Sequence, residues 1–339
     1  MTGTSKLCVI IAAKNAAATI ERAIVSALAE PETAEVIVID DGSSDGTATT
    51  ARAADDGTGR LVVVSFEKNR GPAAARNHAI AISRAPLIAI LDADDFFFAG
   101  RFSQLLAEDD WDFIADNIAF VDEAMASRAH LDLARFPREP RVIDLKGFVE
   151  GNISKRGVRR GEIGFLKPIM WRAFLDANDL RYKEDLRLGE DYDLYARALV
   201  KGARYKLIHT CGYGAVVRHD SLSSSHRTED LKRLYEADRA ILAAGGLSPE
   251  AGDLIRRHEK HIRDRYELRH FLDIKKQSGF GAALSYAATH PGAIPAIAAG
   301  IFADKTARFR RSKDSAPVAL GGSGGLRYLL ASPAGTGHK

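Results

Sequence analysis

The chain has 339 residues, of which 46% are hydrophobic and 27% charged, and its 48 Lys and Arg nearly balance its 45 Asp and Glu to leave a formal charge of +3. This composition is typical of a globular protein and excludes disordered and fibrous classes. Because the charge is nearly balanced, we predict no nucleic-acid partner. The N-terminus lacks the features of a secretory signal, and the two cysteines lack CxxC spacing, so we expect a cytoplasmic protein.

The first hundred residues alternate between short apolar runs and alanine-rich stretches. The runs, rich in Val and Ile, predict strands at residues 7–13, 35–40, 61–66 and 87–91. The stretches between them have helical spacing, so the pattern indicates an α/β fold with a parallel sheet covered on both faces. In such sheets ligands bind beyond the carboxyl ends of the strands, and functional residues are expected there.

Later segments give weaker signals. They predict a strand at 112–121, helices at 169–177 and 191–201, a short strand at 205–209 and amphipathic helices at 228–276. A GGSGG run at 321–325 predicts a flexible tail. Residues 282–303 carry no charged side chain and precede a basic stretch, which fits either a packed helix or a peripheral membrane anchor. The many alanines and two prolines argue against a membrane span.

An acid pair follows the second predicted strand, in the sequence DDGSSDGT. Asp45 can cap the next helix, but capping does not explain Asp40 and Asp41. Two adjacent anions at a strand end need a donor-rich ligand, a metal or solvent to offset their repulsion. A nucleoside offers such donors through its base N–H and ribose hydroxyl groups.

A second acidic cluster, LDADD, follows the fourth predicted strand and contains Asp92, Asp94 and Asp95. Hard cations such as Mg²⁺ and Mn²⁺ prefer carboxylate oxygens and share them with substrate phosphates. The cluster therefore fits a diphosphate bridged by a metal. The alternative is a solvated turn in which Asp95 caps a helix at 99–107.

The motifs in order resemble the family 2 glycosyltransferases of the GT-A fold: AAKNAAATIERAIVSAL, VIVIDDGSSDGT, NRGPAAARN, LDADD and GEDYDL. Neither a GxGxxG nor a GxxxxGK[ST] loop is present, so the usual dinucleotide and phosphate-loop folds lose support. The resemblance covers about residues 7–225. Closer similarity, including IADNIAFVD, points to bacterial exopolysaccharide enzymes that extend lipid-linked succinoglycan-type repeats with glucose.

The resemblance implies a Rossmann-like nucleotide-sugar-binding fold with a mostly parallel central sheet and a helical C-terminal extension. The implied glycosyltransferase domain is 1–225, with a nucleotide-binding half at about 1–120 and an acceptor half at about 121–225. A helical region is expected at 226–314, membrane-associating if its apolar and basic segment is a peripheral anchor, and a flexible tail is expected at 315–339.

The resemblance also assigns roles to single residues. It implies that the nucleotide sugar is bound by Ala12, Asn15, Asp40, Asp41, Arg76, Asp92 and Ala93. Asp41 is the expected partner of the uracil edge. The metal is expected at Asp94, the last acid of the DxD element, with His219 as a further ligand.

Asp191 matches the family's catalytic base, which takes a proton from the acceptor hydroxyl. It lies at the start of a predicted helix, where amides favour carboxylates, although the helix dipole alone would also explain Glu190, Asp191 and Asp193. Glu190 is expected to contact the acceptor. Trp171 is expected either to stack on the acceptor sugar or to belong to the core.

We therefore predict a metal-dependent, inverting glycosyltransferase that moves a sugar, glucose by the resemblance, from a UDP-sugar to a lipid-linked oligosaccharide. The expected cofactor is Mg²⁺ or Mn²⁺. The expected location is the cytoplasm or, by peripheral contact, the cytoplasmic face of the inner membrane. The alternatives are a nucleotidyltransferase, which would need a glycine-rich phosphate loop, and a non-catalytic nucleotide-sugar or glycan-binding module, which would have lost the base.

Overall fold

The computed structural model describes residues 6–128, 131–134, 136, 139–153, 163–217, 227–311 and 326–330, with side chains in the last helix described up to residue 302. The chain divides into two compact units. Unit 1 comprises residues 1–221 and 326–339, and unit 2 comprises residues 222–325. The chain therefore leaves unit 1, builds unit 2 and returns to unit 1.

The N-terminal half of unit 1 alternates strands and helices, as the sequence predicts. Its elements are β1 (Leu7–Ala13), α1 (Ile20–Leu28), β2 (Thr33–Asp40), α2 (Thr47–Ala53), β3 (Leu61–Ser65), α3 (Pro72–Ile82) and β4 (Leu87–Ile90). The four strands are parallel in the order β3-β2-β1-β4. β1 and β4 are almost entirely buried, which is why both read as unbroken apolar runs.

The second half of unit 1 extends the same sheet. Its elements are β5 (Phe96–Phe97), α4 (Arg101–Leu105), β6 (Phe113–Val121), α5 (Glu123–Ala126), β7 (Arg141–Ile143), α6 (Leu145–Asn152), β8 (Ile169–Trp171), α7 (Arg172–Ala177), α8 (Glu190–Val200), β9 (Tyr205–Val216) and β10 (Arg327–Tyr328). The order continues from β4 through β8, β6 and β9 to β5. β6 and β9 are parallel, whereas the antiparallel partners β5, β7, β8 and β10 have only two or three residues each. By length, the sheet is mostly parallel.

Two predictions of secondary structure in this half differ from the structure. Residues 169–177, predicted as one helix, are strand β8 followed by helix α7, because a strand of three residues is too short to show its period. Of the predicted flexible tail at 315–339, the structure describes only residues 326–330, and these contain β10, which pairs with β6. The next residues are buried, and the main-chain N–H of Leu330 donates to Asn117 Oδ1 at 2.9 Å. The GGSGG run at 321–325 lies outside the described residues.

Strand β9 is longer than the predicted strand at 205–209. Glycines interrupt the apolar pattern of this strand, but the structure uses them for close packing. A β-carbon at Gly212 would collide with the Arg101 side chain, and one at Gly214 would collide with the Phe96 ring. The glycines therefore mark close approach within the sheet and do not mark its end.

Gly212 lies against an ion pair in the core, Arg101 with Asp116, which we call the sealed pair. Nε and Nη2 of Arg101 donate to Asp116 Oδ1 at 3.0 and 2.9 Å, and the Gly212 N–H donates to Oδ2 at 2.6 Å. Neither side chain is more than 1% exposed. Burial raises the pKa of Asp116, and the guanidinium of Arg101 opposes that rise.

Unit 2 is helical, as predicted. Its helices are α9 (Thr228–Ala243), α10 (Pro249–Thr289) and α11 (Ile294–Arg311). Between α9 and α10, the buried His258 Nδ1 lies 2.7 Å from Asp238 Oδ2. Gly279 has a φ of +87° and divides α10 into two helical segments. Among the residues that the structure describes, no helix is long and apolar enough to cross a membrane.

Candidate active site

The carboxyl ends of β1, β2 and β4 lie at one edge of the sheet, because these strands are parallel and adjacent. Asn15 follows β1, Asp40 ends β2 with Asp41 just beyond it, and Asp92 follows β4. The structure therefore brings the predicted nucleotide-binding positions to one edge, as expected for ligand sites in parallel sheets.

The loops after β1 and β2 are joined by hydrogen bonds. The main-chain N–H of Asn15 donates to Ser43 Oγ at 2.9 Å, and Asn15 Oδ1 accepts from the Ser44 N–H at 2.9 Å. Asn15 has a φ of +49°, a left-handed conformation that asparagine adopts more readily than most residues. Asp40 Oδ1 accepts from the Ser43 N–H at 3.0 Å, and Ala12 lies partly buried near the end of β1.

Asp41 binds the main chain just before helix α3. Its Oδ1 accepts from the Arg70 N–H at 2.6 Å, and its Oδ2 accepts from the Gly71 N–H at 2.9 Å. The side chain is buried. Asp41 therefore stabilises the loop between β3 and α3, and a nucleobase N–H would have to share a carboxylate that already accepts two hydrogen bonds.

Helix α3 places Arg76 in the centre of an ion cluster. The ion cluster consists of Arg76, Asp92, Lys167, Glu190 and Asp191. Arg76 Nη2 lies 2.9 Å from Asp92 Oδ1, and Nη1 lies 2.9 Å from Glu190 Oε1 and 3.4 Å from Asp191 Oδ1. Arg76 is buried, whereas the Asp92 side chain is 34% exposed, so the cluster opens to solvent through a carboxylate.

Lys167 completes the ion cluster, and sequence reasoning missed it. Its Nζ lies 2.9 Å from Asp92 Oδ2 and 2.8 Å from Asp191 Oδ2. Lys167 precedes β8, whose antiparallel pairing with β4 brings it level with the end of β4. A signal is present in the sequence, because Lys167 interrupts the apolar run FLKPIM, and a lysine buried in such a run needs an anionic partner.

Opposite charges hold the ion cluster together. Burial opposes ionisation of Asp92, but Lys167 and Arg76 outweigh it and lower the pKa of Asp92 to about 2. Burial would lower the pKa of Lys167, yet the carboxylates of Asp191 and Asp92 raise it. The pKa of Arg76 is raised against burial by the same two carboxylates and Glu190. Asp92, Lys167 and Arg76 therefore all carry their charges at neutral pH.

The three acids in the first turn of helix α8 have different partners. Glu190 and Asp191 face the ion cluster. Asp193 instead pairs with Lys183 at 2.9 Å and with Arg197 at 2.7 Å. All three acids lie in the first turn of the helix, where they complement the helix dipole. Only Glu190 and Asp191 also bind cations that contact Asp92 at the end of β4.

The acids in the turn after β4 also have different partners. Asp95 is buried, with Oδ2 accepting from the Tyr213 hydroxyl at 2.7 Å and Oδ1 accepting from the Val216 N–H at 2.9 Å. Asp95 thus anchors β9 and does not cap helix α4, contrary to the alternative drawn from the sequence. Glu30 accepts from the main-chain N–H groups at the start of α4. Ala93 is buried in the same turn.

Asp94, the acid that the family resemblance assigns to the metal, lies in the same turn. Asp92 is already engaged by Arg76 and Lys167, and Asp95 is buried against β9. No three His, Cys, Asp or Glu side chains in the described part of the chain form a metal cage. This donor set fits a cation that takes one or two carboxylates from the protein and its other ligands from phosphates and water, as Mg²⁺ does.

Two predicted residues are not brought to this arrangement. Trp171 pairs with Leu87 at the start of β4, so it lies at the opposite edge of the sheet from Asp92. There its ring centroid is 5.7 Å from that of Trp111, and this position does not support stacking on an acceptor. His219 lies outside the described residues.

Comparison with known proteins identifies the family to which this chain belongs. The model of glycosyl transferase family 2 matches residues 8–173, and the chain belongs to this family. It is 73% identical over 324 residues to succinoglycan biosynthesis protein ExoU of Rhizobium meliloti (strain 1021), covering 96% of this chain and 95% of the relative.

Two further relatives are more distant. Succinoglycan biosynthesis protein ExoO of the same organism is 33% identical over 309 residues, covering 89% of this chain and 85% of the relative. The UDP-Glc:alpha-D-GlcNAc-diphosphoundecaprenol beta-1,3-glucosyltransferase WfaP of Escherichia coli is 34% identical over 96 residues, covering 28% of this chain and 38% of the relative.

Solved structures show the same fold. Staphylococcus aureus TarS 1–349 in complex with UDP-GlcNAc has a TM-score of 0.57 at 20% identity, covering 80% of this chain and 74% of that one. The mannosyltransferase PcManGT from Pyrobaculum calidifontis, in complex with GDP-Man and Mn²⁺, has a TM-score of 0.52 at 18% identity, covering 90% and 81%. The fold is GT-A, and the protein is a glycosyltransferase, so the two alternatives drawn from the sequence are set aside.

Proposed function

We propose that this enzyme transfers glucose from UDP-glucose to a lipid-linked oligosaccharide in the assembly of a succinoglycan-type exopolysaccharide, with inversion at the anomeric carbon. The similarity to the succinoglycan biosynthesis proteins ExoU and ExoO supports the polysaccharide, and the similarity to the glucosyltransferase WfaP supports the donor and the lipid carrier. The observation that carries the chemistry is the ion cluster, in which Asp191 and Asp92 share the cations of Lys167 and Arg76.

Asp191 is the proposed catalytic base. In a single displacement the acceptor hydroxyl attacks the anomeric carbon from the face opposite the leaving diphosphate, and a carboxylate takes its proton. The Asp191 side chain is 12% exposed, and its oxygens contact Lys167 at 2.8 Å and Arg76 at 3.4 Å. These two cations fix its position relative to the sheet edge where the nucleotide sugar is proposed to bind.

The shared cations connect proton transfer to bond cleavage. When Asp191 accepts the proton it loses its negative charge, and Lys167 and Arg76 then lose one of their anionic partners. The departing diphosphate gains charge in the same step. The two cations are therefore placed to stabilise the leaving group as their interaction with Asp191 weakens.

A divalent cation, Mg²⁺ or Mn²⁺, is the proposed cofactor, and Asp94 would hold it. When bound, it supplies positive charge that neutralises the leaving diphosphate. Asn15, Asp40 and Asp41 would bind the nucleoside, because they lie on the loops after β1 and β2 at the same edge. The soluble donor and the lipid-linked acceptor would meet at the cytoplasmic face of the inner membrane.

The direct test is transfer to a defined acceptor. Purified enzyme is incubated with UDP-glucose, UDP-galactose or UDP-GlcNAc and a lipid-linked oligosaccharide, and products are scored by mass and by NMR. We expect a gain of one hexose from UDP-glucose, in β linkage. An α-linked product would contradict inversion, and transfer only from another donor would contradict glucose.

The metal is tested in the same assay. Treatment with EDTA should abolish transfer, and Mn²⁺ or Mg²⁺ should restore it. Asp94→Asn should leave little activity to restore, whereas Asp176→Asn, an exposed acid on α7, serves as the matched control. Full transfer in EDTA would contradict the cofactor.

A further inference from the structure

The end of unit 2 has large apolar side chains on its outside. Phe280 is 57% exposed, Leu284 51%, Ile294 47% and Phe302 67%. Phe280 and Leu284 lie one turn apart on the second segment of α10, and Ile294 and Phe302 lie two turns apart on α11. We call these four side chains the apolar face.

The helices that carry the apolar face share a small core to which none of its four side chains belongs. Phe271, Ala283, Ala293 and Ile297 are buried together and join the two segments of α10 to α11. Two of these four core residues are alanines, whereas two of the largest apolar side chains of the region point outward. In a helix adapted to water, large apolar side chains face the core and polar side chains face the solvent. The arrangement here is the reverse.

Backbone geometry sets this arrangement. The left-handed φ of Gly279 lets the second segment of α10 turn away from the axis of the first. Gly300 lets α11 approach closely, because a β-carbon there would collide with the Leu268 side chain. The helices can pack tightly while their large side chains remain outside.

Few charged residues lie in the segment that carries the apolar face, and the nearest acids in the sequence, Asp273 and Asp304, flank it. From residue 274 to residue 303 the sequence contains no Asp or Glu, and its two charged residues are Lys275 and Lys276, both exposed. Lys275 Nζ lies 5.7 Å from the centroid of the Phe280 ring, so positive charge directly borders the apolar face. An apolar surface with a basic border is complementary to the acyl chains and anionic headgroups of a lipid bilayer.

We propose that the apolar face inserts into the surface of an anionic phospholipid bilayer, with Lys275 and Lys276 at the headgroups. The proposal deepens the proposed function by naming the surface that reaches the lipid-linked acceptor. It rests on exposure and charge in unit 2, and its failure is distinguishable from failure of the proposed function because UDP-glucose binding is measured without lipid.

The test is co-sedimentation of the full chain with vesicles of phosphatidylcholine, with or without phosphatidylglycerol, at low and high salt. We expect binding to the phosphatidylglycerol vesicles that weakens as salt rises. The double variant Phe280→Ser, Phe302→Ser should lower the vesicle partition coefficient at least about tenfold, because it removes two inserting rings. The variant Val142→Ser removes a side chain of unit 1 that is 67% exposed, and it should bind as the parent does.

A second variant separates charge from insertion. Lys275→Gln, Lys276→Gln leaves all four apolar side chains in place and should lower partitioning about fivefold per lysine at low salt, with little change at high salt. Circular dichroism and UDP-glucose calorimetry without vesicles should match the parent for every variant.

Three results would overturn the proposal. The parent protein could remain in the supernatant with every vesicle at low salt. The Phe280→Ser, Phe302→Ser variant could bind as tightly as the parent. Light scattering could instead show a parent dimer that this variant converts to a monomer without any vesicle binding, which would make the apolar face a contact between two copies.

Discussion

The ion cluster and the sealed pair are both groups of buried charges in unit 1, but they differ in the balance of positive and negative charges and in exposure to solvent. The sealed pair has one cation and one anion, at most 1% exposed. The ion cluster has two cations and three carboxylates, and the Asp92 side chain is 34% exposed. The charges of the sealed pair balance each other away from solvent, whereas a cluster with shared cations and an open carboxylate can exchange partners during a reaction.

The two groups are joined at one point. Arg101 Nη2 also donates to the main-chain carbonyl of Lys167 at 2.6 Å. The sealed pair therefore helps to hold the segment that delivers Lys167 to the ion cluster. We expect changes in the sealed pair to act mainly on stability, and changes in the ion cluster to act mainly on catalysis.

The largest expected effect is at Asp191. Asp191→Asn keeps the size of the side chain but removes its ability to accept the acceptor proton, so kcat should fall about 10²- to 10⁴-fold while UDP-glucose binding survives. Asp193→Asn is the matched control, because that acid lies in the same helical turn but pairs with Lys183 and Arg197. Single-turnover kinetics and calorimetry measure the two effects, and near-normal turnover by Asp191→Asn would refute its role as base.

The next effect is on stability, at Arg101. Arg101→Met leaves the Asp116 carboxyl buried without its cation, which should lower the free energy of unfolding by about 3–5 kcal/mol. Burial already raises the pKa of Asp116, and losing Arg101 raises it further. The folded variant then binds a proton at a pH where the unfolded chain does not, so its stability should rise as pH falls.

Urea unfolding of Arg101→Met at pH 8 and pH 5.5 tests the direction of this change in stability with pH. The loss relative to the parent should be smaller at pH 5.5. Turnover by the folded fraction should fall only a few-fold, which would separate the sealed pair from the ion cluster. Equal losses at both pH values would show that Asp116 does not take up the proton.

A smaller effect on catalysis is expected at Lys167. Lys167→Met removes one of the two shared cations, so kcat/KM for UDP-glucose should fall about 10- to 100-fold. Lys167→Arg restores the charge and should recover part of the loss. If Lys167→Met alters only the melting temperature, Lys167 serves folding alone and belongs with the sealed pair.

The smallest effect is expected at Asp41, which has a structural role in the loop before α3 and a proposed role in nucleoside binding. Asp41→Ala removes the acceptor for the N–H groups of Arg70 and Gly71 and should cost about 1–2 kcal/mol of stability. It should also weaken UDP binding, because the loop before α3 loosens and a proposed nucleoside contact is lost. Calorimetry that shows unchanged UDP affinity would leave Asp41 with the structural role only.

The parts of the fold that sequence analysis predicted well are those with long, regular patterns. Strands β1 to β4 lie close to their predicted bounds. β1, β2 and β4 are mostly buried and therefore form apolar runs, whereas β3 is only partly buried and is recognised by its three consecutive valines. β8 was missed because three residues are too few for a pattern, and β9 was cut short because the glycines that allow close packing also resemble a strand end.

The same reasoning explains what was predicted of the site. Asp92, Arg76 and Asp191 lie in recognisable motifs, and the structure brings them together. Lys167 lies in no motif, and only the antiparallel pairing of β8 with β4, a contact between distant parts of the chain, brings it to Asp92. Trp171, four residues later on the same segment, is carried to the opposite edge by that pairing.

The return of the chain to unit 1 has a consequence for synthesis on the ribosome. β10 pairs with β6 at Phe120 and Ala119, and Asn117 bonds the main chain of Leu330, across a separation of 213 residues. Until Tyr328 has left the ribosome, this part of β6 lacks the partner that β10 later provides, while the rest of the sheet can already form. A nascent chain stalled within unit 2 would therefore present an open strand edge, the kind of surface through which incomplete proteins aggregate.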